Sequence, residues 1–323
     1  MYVISKMEQA GTAPEQKQWD PFEPTLGLRH REISHMLEIL SNPQAPKSSK
    51  IKALQLLTEV IPGRQHEADM LGIFDILRPF LMQNPNGLLL NALVVFNSLI
   101  NTKDLAAKLL EDVPRIVELV HPDIEKPIRT EAARLLRSVA EYVGPEVPFQ
   151  SGSVPSQLVA AVASRDCDTD FLLEGFRLLS RLTNKQNIRV PLIDNSDFLL
   201  ALVRSFSNIK LRESAFILAS NIAMDPSHRG KIALLNAEIL PAIQPYLTSE
   251  DESVRLSALS LLCLLAVPKD GKQMIATDPN MPEVISNIIS KDTSEECKKA
   301  ANELRLLVTE HPIGKAIMGG YEN

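Results

Sequence analysis

Apolar residues recur along this chain in two interleaved helical ladders. Seven segments open on a small residue and reach an aliphatic one seven positions later: Ala53–Val60, Ala92–Leu99, Ala132–Val139, Gly175–Leu182, Ala215–Ile222, Ala258–Leu265 and Ala300–Leu307. Their starts step by 39, 40, 43, 40, 43 and 42 residues. A small first residue with apolar partners at i+3, i+4 and i+7 describes one buried face of a helix. A second ladder runs in phase between these rungs, with starts at Asp75, Pro114, Pro155, Asp197, Pro241 and Pro282, stepping by 39, 41, 42, 44 and 41. Proline suits the first helical position because it lacks an N–H that would be unsatisfied there, and aspartate caps free amides. The same period in both ladders predicts a repeated helix–turn–helix unit, with a short third helix between successive pairs.

Breaker clusters fall at matching phases: Asn84-Pro-Asn-Gly87, His121-Pro-Asp123, Gly144-Pro145 with Gly152, Asp225-Pro-Ser227 and Asp278-Pro-Asn280. A unit of this kind cannot bury its apolar face alone, so neighbours stack into one continuous core. The expected fold class is all-α: a right-handed α-solenoid of about six to seven repeats of 39–44 residues. Its ends carry caps. Leu28 to Leu40 reads as a lone helix with Ile33, Leu37 and Leu40 on one face, and Glu295 to Ile317 as a half-unit with a charged start at Glu295, Glu296, Lys298 and Lys299. Residues 1–24 are polar and proline-containing and read as an extension; residues 25–323 form the repeat domain.

Composition narrows the function. Aromatics are only 5%, and 13 Gly are outnumbered by 22 Pro, which argues against a β-sandwich or barrel. A net charge of −6 disfavours a nucleic-acid partner held by bulk charge. Cys167, Cys263 and Cys297 are far apart, so neither a disulfide framework nor a zinc site is expected. No apolar run reaches membrane-spanning length, the N-terminus does not read as a signal peptide, and a cytoplasmic location is expected.

Chemistry-bearing motifs are missing. There is no phosphate-cradling loop, dinucleotide fingerprint or nucleophile elbow, and the six histidines are scattered, so no enzyme, cofactor or small-molecule substrate is expected. Asp166-Cys-Asp168-Thr-Asp170 imitates the start of a calcium loop, but Phe171 stands where glycine is needed and Arg177 where glutamate is needed. Asp168 and Asp170 are better read as complementing the positive end of the following helix.

The remaining function is protein binding. Of 17 arginines, 11 lie between Arg115 and Arg229. Arg134, Arg137, Arg177 and Arg181 sit on two neighbouring rungs. They read either as solvated helix faces with local ion pairs or as a groove for an acidic segment of another protein. Trp19 and Phe22, in the proline-stiffened Trp19-Asp-Pro-Phe22-Glu-Pro24, read either as partner anchors or as a cap folded on the first helix.

Over roughly residues 25–323 the unit pattern resembles the armadillo/HEAT family, most closely in residues 213–255. The resemblance implies a concave groove lined by the last helix of each unit, with Asn221 placed to bond the backbone of an extended ligand. The nuclear-import branch of that family pairs such an asparagine with a tryptophan four residues earlier. Here Ile217 precedes Asn221, and the other pairs are Gln55/Glu59, Val94/Ser98, Arg134/Ser138, Arg177/Arg181 and Ser260/Leu264, which disfavours that branch. Asp20-Pro21, Pro24, Gly27 and Arg29 before the first helix resemble the armadillo proteins of ciliary radial spokes, implying a structural role in the axoneme of a cilium. The alternative functions are an armadillo-type nucleotide-exchange factor of Hsp70, which has a comparable size and repeat number, and a general cytoplasmic adaptor.

Overall fold

The computed structural model describes residues 32–83, 86–144, 149 and 153–318. Trp19, Phe22 and the residues carrying the radial-spoke resemblance lie outside them. Every element among the described residues is helical. The first ladder becomes seven rung helices: Lys47–Val60, Gly87–Leu99, Lys126–Val143, Thr169–Leu182, Arg212–Ala223, Glu252–Leu265 and Glu295–Thr309. Each packs on the next.

The small residue that opens each apolar repeat explains this close succession. Ala53, Ala92, Ala132, Ala215 and Ala258 are fully buried, so the rung backbones approach where a larger side chain would hold them apart. Gly175 packs closely on a different neighbour, the second-ladder helix before its rung: a Cβ added to it would meet Val162 Cγ2 at 2.7 Å. The core runs unbroken from Ile33 to Met318.

The second ladder becomes Ile73–Leu81, Val113–Glu118, Val154–Ala163, Ser196–Ser205, Ile239–Ile243 and Met281–Lys291. Prolines 114, 155 and 282 occupy first-turn positions as expected. The two aspartate starts are displaced. The helix containing Asp75 begins at Ile73, after Gly72 in the left-handed region (φ 76°). The helix containing Asp197 is capped by Asn195, whose side chain accepts from the Phe198 amide at 2.9 Å. Pro241 lies inside its helix, which yields to a 3-10 turn at Gln244–Thr248 because Pro245 brings no N–H to the α pattern. The expected short helices are present between rungs and second-ladder helices, as in Gln65–Met70, Arg229–Asn236 and Lys269–Thr277.

Three glycines, Gly230, Gly271 and Gly314, open these short helices 41 and 43 residues apart. Each lies against a carbonyl in the last turn of the preceding rung. A Cβ there would meet Ile222 O at 2.1 Å, Leu265 O at 1.8 Å and Val308 O at 2.0 Å respectively. At these three returns, after the fifth, sixth and seventh rungs, the approach of the two backbones requires glycine.

Polar clasps join elements about one unit apart. Arg78 Nε donates to Asp112 Oδ2 at 3.0 Å, Arg115 Nε to Leu81 O at 2.9 Å, and Tyr246 Oη to Phe206 O at 2.7 Å. The strongest geometry is bidentate: Arg255 Nε and Nη2 each donate to Asp292 at 2.9 Å, both side chains being largely buried. Burial pushes the Asp292 carboxyl up, but Arg255 and the Ser294 amide outweigh it and hold the carboxyl below its ordinary value.

Three outcomes follow for stability. Leu179 is fully buried on the fourth rung, and Leu179→Ala is expected to cost about 2–5 kcal/mol, read by urea unfolding. Gly271→Ala forces a backbone shift and is expected to cost about 1–3 kcal/mol in the same assay. Asp292, with its folded-state pKa depressed, stabilises fully above its unfolded value near 3.8 and loses that contribution as pH falls through the folded value. Asp292→Asn should therefore lower the urea midpoint at pH 7 and flatten its decline below about pH 4. An unchanged decline would contradict the assignment.

Candidate functional site

The fourth rung owes its start to Asp168, whose carboxylate accepts from the Phe171 amide at 2.8 Å. Asp170 adds negative charge in the same first turn, where the helix dipole favours it. Asp166 instead turns to Lys126 at 3.0 Å. The three aspartates do not converge, and among the described residues no group of three or more His, Cys, Asp or Glu is close enough to hold a metal. Among the same residues no helix is long and apolar enough to cross a membrane.

With its register fixed in this way, the fourth rung presents Arg177 and Arg181, one turn apart, to the same open face. The third rung contributes Arg137 and Glu141 to that face, and the fifth contributes Glu213, Ile217 and Asn221. Together with Ser180 and Ser214 these residues line a cleft of about 440 Å³ spanning three successive rungs. The structure thus brings Arg137, Arg177, Arg181 and Asn221 into one place.

The four arginines expected on this surface do different work. Arg134 Nε and Arg137 Nε donate to the two oxygens of Glu174, at 3.3 and 2.6 Å, and Glu174 is buried. Arg134 also meets Glu131 at 2.5 Å, and Arg137 meets Glu141 at 2.9 Å. Arg134 does not line the cleft; both it and Arg137 hold the third rung to the fourth. Arg181 touches Glu141 only at 3.5 Å and is exposed. Arg177 is exposed and makes no ion pair or hydrogen bond among the described residues. The cationic groups open to a ligand are therefore Arg177 and Arg181.

Asn221 is partly engaged. Its Nδ2 donates to Ser180 O at 3.1 Å, tying the fifth rung to the fourth. Its Oδ1 accepts no hydrogen bond among the described residues, which leaves an acceptor on a cleft-lining residue for a backbone N–H of an extended ligand.

Sequence reasoning did not reach Glu174. The signal was present: a carboxylate immediately before the small residue that opens the fourth repeat, with two arginines in phase one unit earlier. Arg129 was equally hidden. It is 1% exposed, its guanidinium lies 4.5 Å from the Phe171 ring centroid, and it donates to Asp166 O and Cys167 Sγ, both at 3.3 Å. Burial pushes the Cys167 thiol up despite this neighbour. Cys263 is half-buried rather than fully buried as a core position would be, and burial pushes its thiol up to about 12. Burial thus disfavours the thiolate, the reactive form, at both positions.

Solved structures of engineered repeat proteins are similar to this one. One engineered protein matches with a TM-score of 0.73 at 17% identity, covering 90% of this chain and 71% of its own. A designed armadillo repeat protein in complex with the peptide (KR)4 matches with a TM-score of 0.61 at 19% identity, covering 72% of this chain and 99% of its own. A second designed armadillo repeat protein gives 0.62 at 18% identity, covering 72% and 100%. No protein-family model and no curated protein matches the sequence. At such identities the likeness is one of fold, and it agrees with the period, the rung row and the continuous core: the chain is an armadillo-type α-solenoid.

Proposed function

We propose that this protein is a non-catalytic scaffold that binds other proteins through the face carrying Arg177, Arg181 and Asn221. The observation that carries this is the cleft across rungs three to five, where two guanidiniums lack strong internal partners beside an open amide acceptor. Extended repeat surfaces of this kind act by presenting many side chains at a fixed spacing. The similar designed protein is solved with a basic peptide, (KR)4. In the present cleft the two guanidiniums without strong partners carry the same sign of charge as that peptide, so the partner inferred for this chain presents an acidic segment.

Within this reading the scaffold belongs to a cytoskeletal assembly, a ciliary one by the residues resembling radial-spoke armadillo proteins. The tagged protein recovered from its own source cells, crosslinked and read by mass spectrometry, tests this. Recovery with axonemal proteins in a detergent-resistant fraction is the expected result. Recovery with Hsp70, released by ATP, would transfer the function to chaperone nucleotide exchange.

The double variant Arg177→Glu/Arg181→Glu is expected to lose the recovered partners with its urea midpoint unchanged, because both side chains are exposed and weakly paired. Glu174→Ala serves as the contrast. It strips two arginines of a buried acceptor and is expected to cost about 1.5–3 kcal/mol of stability. Full partner recovery by the double variant would place the binding surface elsewhere.

A further inference from the structure

The face that holds the cleft changes character along the row of rungs. The third and fourth rungs are charged on it, through Glu131, Arg134, Arg137 and Glu141, then Arg177 and Arg181. From Ser214 to Met224 on the fifth rung, and from Leu256 to Pro268 on and after the sixth, the sequence has no Asp, Glu, Lys or Arg. The positions matching Arg177/Arg181 become Ile217/Asn221 and Ser260/Leu264. Ile217 is 49% exposed, and Met224 and Val267, which follow the ends of these two rungs at the same phase, are 59% and 43% exposed.

The opposite flank differs. The second rung is also uncharged from Gly87 to Asn101, yet among its described residues no large apolar side chain is exposed. The arginine pair therefore borders an uncharged stretch with open aliphatic side chains on the fifth-rung side, whereas the third rung on its other side is charged and exposes Tyr142 alone among its large apolar side chains. Rungs four, five and six pack in direct succession, so the change from charged to apolar is continuous across them. Exposed apolar surface bordered by charge marks a contact surface, because it gains by leaving water while the charges fix register.

We propose that the ligand is a bipartite extended segment of a partner protein. It places one or two carboxylates over Arg177 and Arg181, then aliphatic or aromatic residues over the exposed Ile217 and the partly buried Leu264. This rests on the scaffold reading above and adds the ligand's composition and direction along the rungs. Glu213, on the same cleft wall without a side-chain partner among the described residues, limits the acidic part to a short one by like-charge repulsion. Packed helices stand about 8–10 Å apart and an extended chain rises about 3.3 Å per residue. One rung thus corresponds to about two to three ligand residues, so the acidic residue and the two apolar ones recur at about that spacing.

A phage-displayed library of random 12-residue peptides selected on the full-length protein tests this. The enriched sequences are expected to share an acidic residue with an apolar one about two to three positions away, always on the same side. Fluorescence anisotropy of the best peptide should show at least tenfold weaker binding after replacing its acidic residue with Gln, and separately after replacing its apolar residues with Ser. The same loss is expected from Arg177→Glu/Arg181→Glu and from Ile217→Ser in the protein, with unchanged urea midpoints. Acidic peptides indifferent to the apolar replacements would overturn the bipartite composition while leaving the acidic groove in place. Enrichment of peptides without acidic residues, or no enrichment, would overturn the proposal; the scaffold reading is judged separately by recovery from cells.

Discussion

The structure depends on rung helices coming close enough to share one apolar core. Alanine or glycine at the head of each repeat sets that distance. Where Gly175 takes the place of alanine, even a methyl group would collide with Val162 on the adjoining second-ladder helix. Once the rungs are in contact, each contributes a buried side to its neighbours and an outward face to the groove. The groove residues inherit their spacing from this packing, so the placement of Arg177, Arg181 and Asn221 is a by-product of how alanines fit together.

The close return after the last three rungs is a second expression of the same constraint. At Gly230, Gly271 and Gly314 the backbone of the following helix rests on a rung carbonyl. These glycines share a period with the alanines, but they sit inside short helices rather than at turns. A search for breakers therefore passes over them. The left-handed Gly72 start and the 3-10 turn after Ile243 escaped for a related reason: each reflects local backbone geometry that the apolar pattern does not encode.

The repeat, its phase and most rung C-terminal ends were legible because they follow from burial at helical spacing, which leaves a direct trace in residue type; the rungs themselves begin 3 to 6 residues before each small residue. The candidate site was legible in part. Arg177, Arg181 and Asn221 converge in one cleft, as their phase suggested. The roles of Arg134, Arg137 and Arg129 were not legible, because charge alone does not say whether a guanidinium faces water, Glu174 or the Phe171 ring. That depends on partners one unit away in sequence and a few ångströms away in space. Trp19 and Phe22 fall outside the described residues and take no part in this comparison.

The clasps that join elements 34 to 42 residues apart, such as Arg78–Asp112, Arg255–Asp292 and Ser294–Glu252, also bear on how the chain reaches its fold. No clasp among them requires the two ends of the chain to meet. The longest loop to be closed before a tertiary contact forms is therefore about one repeat, whatever the total length. Loop-closure entropy stays small, and topologies with such short separations fold fast. Any adjacent pair of units can start the process, and order then spreads in both directions like a zipper, with the terminal units last to close and first to fray.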